Sequence, residues 1–213
     1  MDTTSAVALE RETILAQGVA FEDYLNGKYG VHTEWIDGVV IAMSPVSIAH
    51  NRLRDFLSDV FRVLLDLTDG GEVFTDPVVM KPTPDSPARQ PDLFVVLPDR
   101  AAHILPNLVA CAAHLVVEIV SPESFTRDRG VKFEEYERGG VDEYWVIDPK
   151  RREALFYVRD AEGTFQPRML TGDVYTSVVL PKLRLPVSRL WAEKFPSTRE
   201  VVQWVESLLE GEQ

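Results

Sequence analysis

Glu118 needs a chemical explanation before any other residue in this chain. It sits in His114-Leu-Val-Val-Glu-Ile-Val120, a run that is apolar on both sequence parities apart from the glutamate and the leading histidine. A carboxylate is rarely buried unless it is paired or binds a metal. Glu118 therefore either forms a salt bridge with a helix or faces a cleft. Asp92, in Gln90-Pro-Asp92, is ambiguous alone, because Pro-Asp ahead of a strand is also a turn signal. If the strands beginning at Asp92 and containing Glu118 are neighbours, the two carboxylates converge on one hard cation. Oxygen ligands are what Mg²⁺ or Mn²⁺ prefers.

A cation for that pair is available on the next helix. Asp128, Lys132 and Tyr136 recur at intervals of four and share one helical face. The row is either solvated surface, where such a pair contributes only about 0.2–0.5 kcal/mol, or it folds back over the Glu118 strand. In the second case Lys132 orients a water or stabilises a phosphoryl oxygen. Glu34, beside Trp35 and Ile36, is either a solvent-facing alternate of a strand or a further site acid. His50 falls in the first turns of a long helix, where it can cap, pack or bind water. His32, His103 and His114 have no zinc-type spacing with Cys111. There is no glycine-rich phosphate loop, since Gly139-Gly140 follows a helix instead of preceding one.

These residues have to be positioned by an α/β arrangement. Ala6 to Leu25 has mixed helical character. Thr33 to Ile36 and Val39 to Met43 form a hairpin across Asp37-Gly38, a favoured two-residue turn. A long helix capped at Ser44-Pro45 or at Ser47 runs to about Leu67, with Leu53, Phe56, Leu57, Val60, Phe61, Leu64 and Leu65 as one stripe. Glu72 to Met80 reads as a strand that Pro77 confines to an edge or bulge. Leu93 to Leu97 and the doubly covered His114 to Val120 follow. A helix then spans Thr126 to Arg138, closed by Gly139 and Gly140. Val141 to Ile147 is a strand, Glu153 to Val158 with Thr164 to Met169 a hairpin, and Leu170 to Leu190 holds a short strand. Ser197 to Leu209 is a last helix. One domain across all 213 residues is the simplest expectation.

A formal charge of −12 disfavours non-specific attraction to nucleic-acid phosphates. Local groups offset it: Arg127, Arg129 and Lys132 lie close in sequence, and Lys81 and Arg89 flank another segment. No apolar run approaches the roughly 20 residues needed to cross a bilayer. The N-terminus does not read as a secretory signal, and the single Cys111 reads as a buried thiol in a reducing compartment. The expected location is the cytoplasm, without membrane association.

At these positions the chain resembles the Uma-type putative restriction endonucleases, a bacterial branch of the PD-(D/E)XK nuclease superfamily. The resemblance covers roughly Val19 to Leu190. It rests on Glu34-Trp-Ile-Asp-Gly38 with Met43-Ser-Pro45 and His50, Gln90-Pro-Asp92, Val117-Glu-Ile-Val-Ser-Pro122, Arg127-Asp-Arg-Gly-Val-Lys132 with Tyr136, and Gly140-Val-Asp-Glu-Tyr-Trp-Val-Ile-Asp-Pro149. It implies a restriction-endonuclease-like core, a central mixed sheet flanked by helices, with an N-terminal hairpin and a C-terminal hairpin extension. It further implies Asp92 as the metal-binding aspartate and Glu118 as the acid of the second half-motif. The lysine usual two positions beyond that acid is replaced by Val120. The resemblance implies that Lys132 from the following helix fills the part, and that Glu34 is the extra acid near the site.

The implied activity is hydrolysis of nucleic-acid phosphodiester bonds, DNA ahead of RNA, with Asp92 and Glu118 binding Mg²⁺ or Mn²⁺. A homodimer would let two such cores cut two strands. Ser197 to Leu209 is the one helix that offers a dimer surface, although its Trp204 and leucines can equally pack on their own chain. The alternative is a catalytically inactive nuclease fold whose acidic exterior binds a protein partner.

Overall fold

The computed structural model describes residues 13–68, 70–120 and 130–211. The chain opens with strand β1 (Thr13–Ala16), helix α1 (Phe21–Leu25) and the hairpin strands β2 (Thr33–Ile36) and β3 (Val39–Ala42). β1 pairs antiparallel with β3, giving the order β1-β3-β2. The helical reading of Ala6 to Leu25 is corrected by this. Thr13 and Ile14 are β-branched and complete the open edge of β3, Gly18 turns at a φ of 68°, and only Phe21–Leu25 is helical. Residues 6–12 lie outside the described residues. The hairpin turn has Asp37 at φ 48° and Gly38 at φ 85°, two successive left-handed residues as a type I′ turn requires.

Helix α2 (Ile48–Asp66) is capped by Ser47, whose Oγ accepts the His50 N–H at 3.1 Å. Of the two expected starts, the later one forms. Its buried stripe contains all seven apolar residues that the spacing of three and four selected. Next come β4 (Glu72–Thr75), β5 (Leu93–Val96), the short pair β6 (Ile104–Leu105) and β7 (Leu108–Val109), and β8 (Leu115–Ile119). β4 stops at Thr75, short of the expected Met80, because proline cannot continue a ladder and Pro77 lies two residues on. Helix α3 (Lys132–Gly139) ends at Gly140, which is left-handed at φ 89°. The expected first turn from Thr126 falls largely on 121–129, outside the described residues. Then follow β9 (Glu143–Asp148), β10 (Glu153–Arg159), β11 (Phe165–Pro167), β12 (Val174–Thr176), β13 (Arg184–Pro186) and α4 (Thr198–Glu210).

The central sheet has six strands in the order β11-β10-β9-β8-β5-β4. β8 and β9 are parallel and the other neighbours antiparallel, so the sheet is mixed. Its two faces bury different sets of side chains. Leu93, Val95, Leu115, Val117, Ile119, Trp145 and Ile147 pack with the stripe of α2, whereas Phe94, Val96, Val116, Val120, Tyr144 and Val146 pack with Tyr136 of α3. Side chains alternate along a strand, so Glu118, in step with Val116 and Val120, points towards α3. The sheet pleat aims the carboxylate before any polar contact is considered.

α4 docks its apolar face on its own chain. Val201 and Val205 are buried in the α2 cluster, Trp204, Leu208 and Leu209 pack beside them, and Phe56 stacks on Phe195 at 5.0 Å between ring centroids. This removes the helix as an argument for a dimer. Glu143, on β9, ties the C-terminal segment to the sheet: its carboxylate accepts from Trp145 Nε1, Tyr175 OH, Ser177 Oγ and the Val178 and Val179 N–H groups. Cys111 is buried. No helix among the described residues is long and apolar enough to cross a membrane.

Candidate active site

Two antiparallel neighbours place Asp92 and Glu118 opposite each other. β5 and β8 pair Leu93 with Val117 and Phe94 with Val116, so Asp92, one residue before β5, meets the end of β8 at Glu118 and Ile119. The Ile119 N–H donates to Asp92 Oδ2 at 2.7 Å. The same oxygen lies 3.1 Å from His50 Nε2 at the start of α2. Asp92 Oδ1 accepts no hydrogen bond among the described residues, and the side chain is partly exposed. His50 Nδ1 and the adjacent Asn51 Oδ1 are buried without a partner among the described residues.

Glu118 is 2% exposed and Lys132 1% exposed. Lys132 Nζ donates to Glu118 Oε1 at 2.8 Å and lies 3.4 Å from Glu34 Oε1. The Tyr136 hydroxyl donates to the same Glu118 oxygen at 2.7 Å. Lys132 and Tyr136 are four residues apart and present one face to the sheet, so the row is not solvated surface. Asp128 lies outside the described residues. Burial, followed by the Glu118 carboxylate, pushes the Tyr136 phenol well above the ordinary tyrosine range. It is therefore a hydrogen-bond donor at neutral pH.

Glu34 is fully buried, which removes its reading as a solvent-facing alternate. β2 carries it under the segment ahead of β5, where Trp35 bridges to Ala88. Its Oε2 accepts from Arg89 Nη1 at 2.7 Å and its Oε1 from the Gln90 N–H at 3.3 Å. Arg89 in turn makes a bidentate pair with Glu135 of α3, Nε to Oε2 at 2.8 Å and Nη2 to Oε1 at 2.7 Å. Burial pulls the Arg89 guanidinium down, but Glu135 and Glu34 outweigh it and hold its pKa well above the ordinary value.

Sequence reasoning missed Glu135 and took Arg89 only as a local basic group. Arg89 directly precedes the Gln-Pro-Asp motif, and Glu135 shares the Lys132 face at a spacing of three. Lys81, Arg89 and Lys132 are all buried. They therefore form no exposed basic surface, and Arg127 and Arg129 lie outside the described residues.

Glu118, Lys132 and Glu34 are thus linked through short contacts, with Tyr136 on the far side of Glu118, whereas Asp92, across the β5–β8 pair from Glu118, is held by His50 and the Ile119 N–H. Among the described residues no group of three or more Asp, Glu, His or Cys side chains is placed to hold a metal. A hard divalent cation does not need one, because Mg²⁺ commonly takes one or two carboxylates and keeps several waters. The donor chemistry fits. Asp92 and Glu118 offer oxygen alone, and Asp92 Oδ1 is outside every hydrogen bond among the described residues.

A family model described as Uma2, putative restriction endonuclease, matches residues 20–188. The chain is also similar to a solved structure, a putative nuclease belonging to DUF820 from Anabaena variabilis. The TM-score is 0.63 at 16% identity, covering 75% of this chain and 89% of that one. At that identity the likeness is one of fold. No curated protein matches the chain.

Proposed function

Because this chain belongs to the Uma2 family of putative restriction endonucleases, we propose that it is a metal-dependent endonuclease hydrolysing phosphodiester bonds of nucleic acid, DNA ahead of RNA. The observation that carries this reading is the juxtaposition of Asp92 and Glu118 at the β5–β8 pair, with Lys132 Nζ 2.8 Å from Glu118 Oε1.

Asp92 and Glu118 would hold Mg²⁺ or Mn²⁺, which when bound lowers the pKa of a water and offsets charge on the phosphoryl oxygens. Lys132 supplies a fixed cation beside that pair, able to orient a water or to stabilise negative charge developing on the phosphate. Tyr136 shares the Glu118 oxygen with Lys132 and so limits the rotamers of both. Glu34 anchors Lys132 from behind and is itself held by Arg89. At the same end of the sheet the β9–β10 turn exposes Lys150, Arg151 and Arg152, cations suited to flanking phosphates. A single domain acting in the reducing cytoplasm suits the lone buried thiol of Cys111.

The second reading is an inactive nuclease fold that binds a protein partner. It draws on the hydrogen bonds that Asp92 and Glu118 already make to protein groups. One experiment separates the two: incubate the full chain with single-stranded DNA, double-stranded DNA and RNA, with Mg²⁺, Mn²⁺ or a chelator. Cleavage is expected only with metal, and Lys132→Ala is expected to slow it about 10²- to 10³-fold, as for the loss of one charge-stabilising group. Asp92→Ala is expected to abolish it. Absence of metal-dependent cleavage on every substrate would leave the inactive fold as the better reading.

A further inference from the structure

His50 is spent on one contact and is otherwise poorly served by its surroundings. Its side chain is 6% exposed, Nε2 lies 3.1 Å from Asp92 Oδ2, and Nδ1 is buried with no partner among the described residues. Both Asp92 oxygens are acceptors, so the nitrogen facing them carries the hydrogen. An apolar side chain of similar size would fill the same volume without stranding a ring nitrogen, and burying an unpaired polar atom is unfavourable. The histidine therefore has a use at Nε2 that its packing does not supply.

That use follows from the carboxylate it touches. The terminal torsion of an aspartate is broad and roughly two-fold, so an isolated Asp92 at the mouth of the β5–β8 pair would present either oxygen over a wide arc. The Ile119 N–H holds Oδ2 from the sheet at 2.7 Å, and His50 holds it from α2. Donors from two separate rigid elements converge on one oxygen, which leaves Oδ1 directed and, among the described residues, unshared. The backbone of His50 is anchored, because its N–H donates to Ser47 Oγ at 3.1 Å in the first turn of a 19-residue helix, and burial restricts the ring.

We infer that His50 is a positioning residue, whose Nε2–H locks Asp92 Oδ2 so that Oδ1 is presented to a divalent cation. This rests on the reading of Asp92 as a cation ligand. Loss of a hydrogen-bonding partner behind a metal ligand typically weakens metal affinity about 10- to 100-fold.

The test is titration calorimetry of the full chain with MnCl₂, alongside thermal melts, for the wild type and for Asp92→Ala, His50→Leu and His50→Gln. His50→Leu keeps the volume and removes the donor. It is expected to melt near the wild type yet bind Mn²⁺ about 10- to 100-fold more weakly. His50→Gln returns an amide N–H towards Asp92 and is expected to recover most of that affinity. The Mn²⁺ concentration for half-maximal cleavage should shift in the same proportion, with a smaller change in the rate at saturating metal. Wild-type Mn²⁺ affinity in a folded His50→Leu protein overturns the proposal. Should that variant lose its cooperative melt, His50→Asn, whose amide is too short to reach Asp92, takes its place under the same criterion. If the wild type binds no Mn²⁺, or Asp92→Ala binds it equally well, the cation-ligand reading fails and the role of His50 fails with it.

Discussion

Glu118 and Lys132 each neutralise a charge that the other would otherwise leave buried. Removing one member of a buried pair typically costs about 3–5 kcal/mol, because the survivor keeps its desolvation penalty without its partner. Glu118→Ala strands an ammonium that is 1% exposed and has Glu34 at the longer distance of 3.4 Å. Urea unfolding without metal should therefore show a loss of about 3–5 kcal/mol, although relief of repulsion with Asp92 acts the other way. The double variant Glu118→Leu with Lys132→Met should recover most of it, since apolar replacement of a buried pair is often neutral. Additive losses in that cycle would show that the pair is not coupled. A stability loss at Glu118 thus accompanies either role, and only metal binding or cleavage separates a catalytic carboxylate from a structural one.

At the scale of elements, β8 and β9 run parallel with Glu118 beside Val146, so the turn after β9 emerges at the same end of the sheet as the carboxylates. This turn exposes Lys150, Arg151 and Arg152 in a chain whose formal charge is −12. Each phosphate neutralised on duplex DNA contributes about −0.9 to the slope of log K against log salt. Replacing the three by alanine should make that slope shallower by about 2–3 and weaken metal-free DNA binding at low salt. Fluorescence anisotropy across a salt series measures it, and an unchanged slope would remove the turn from the substrate path. Arg152→Gly is a useful intermediate, because Arg152 sits at a left-handed φ of 53° that glycine adopts without strain.

Across the whole molecule, buried phenols in three regions contribute to alkaline stability. Burial pushes the Tyr24 phenol up to about 12. Tyr136 and Tyr175 are pushed further, first by burial and then by Glu118 and Glu143. An unfolded tyrosine titrates near 10, so between about pH 10 and 12 the unfolded chain releases protons that the native state retains. This contribution is complete below about pH 10 and falls as pH rises, by up to about 1.4 kcal/mol per pH unit for each group. Denaturation midpoints should drop through this window, and Tyr24→Phe should flatten part of the drop. An identical alkaline limb in that variant would contradict the assignment.

Short-range patterns in the sequence were enough for the long helix, the Asp37-Gly38 hairpin, the interior strand around Glu118 and the helix bearing Lys132. Each depends on neighbours within a few residues: a side-chain period, a serine cap, a left-handed turn, a terminal glycine. The sequence also made Glu118 conspicuous, because a carboxylate flanked by valine and isoleucine needs a partner wherever the strand goes. Residues far apart in the chain were decided only by tertiary structure. Arg89 meets Glu135 and Glu34 across separations of 46 and 55 residues, and His50 reaches Asp92 between α2 and the sheet. The choice between an exposed and a site role for Glu34 is made only when Arg89 and Lys132 enclose it, and the choice between a dimer surface and its own chain for the last helix only when Val201, Trp204 and Val205 pack beside the α2 stripe. Such contacts depend on which sheet edge receives a strand and how a helix is rotated onto it. The local periodicity of a sequence specifies which residues turn inward, whereas the register between distant elements specifies what they meet.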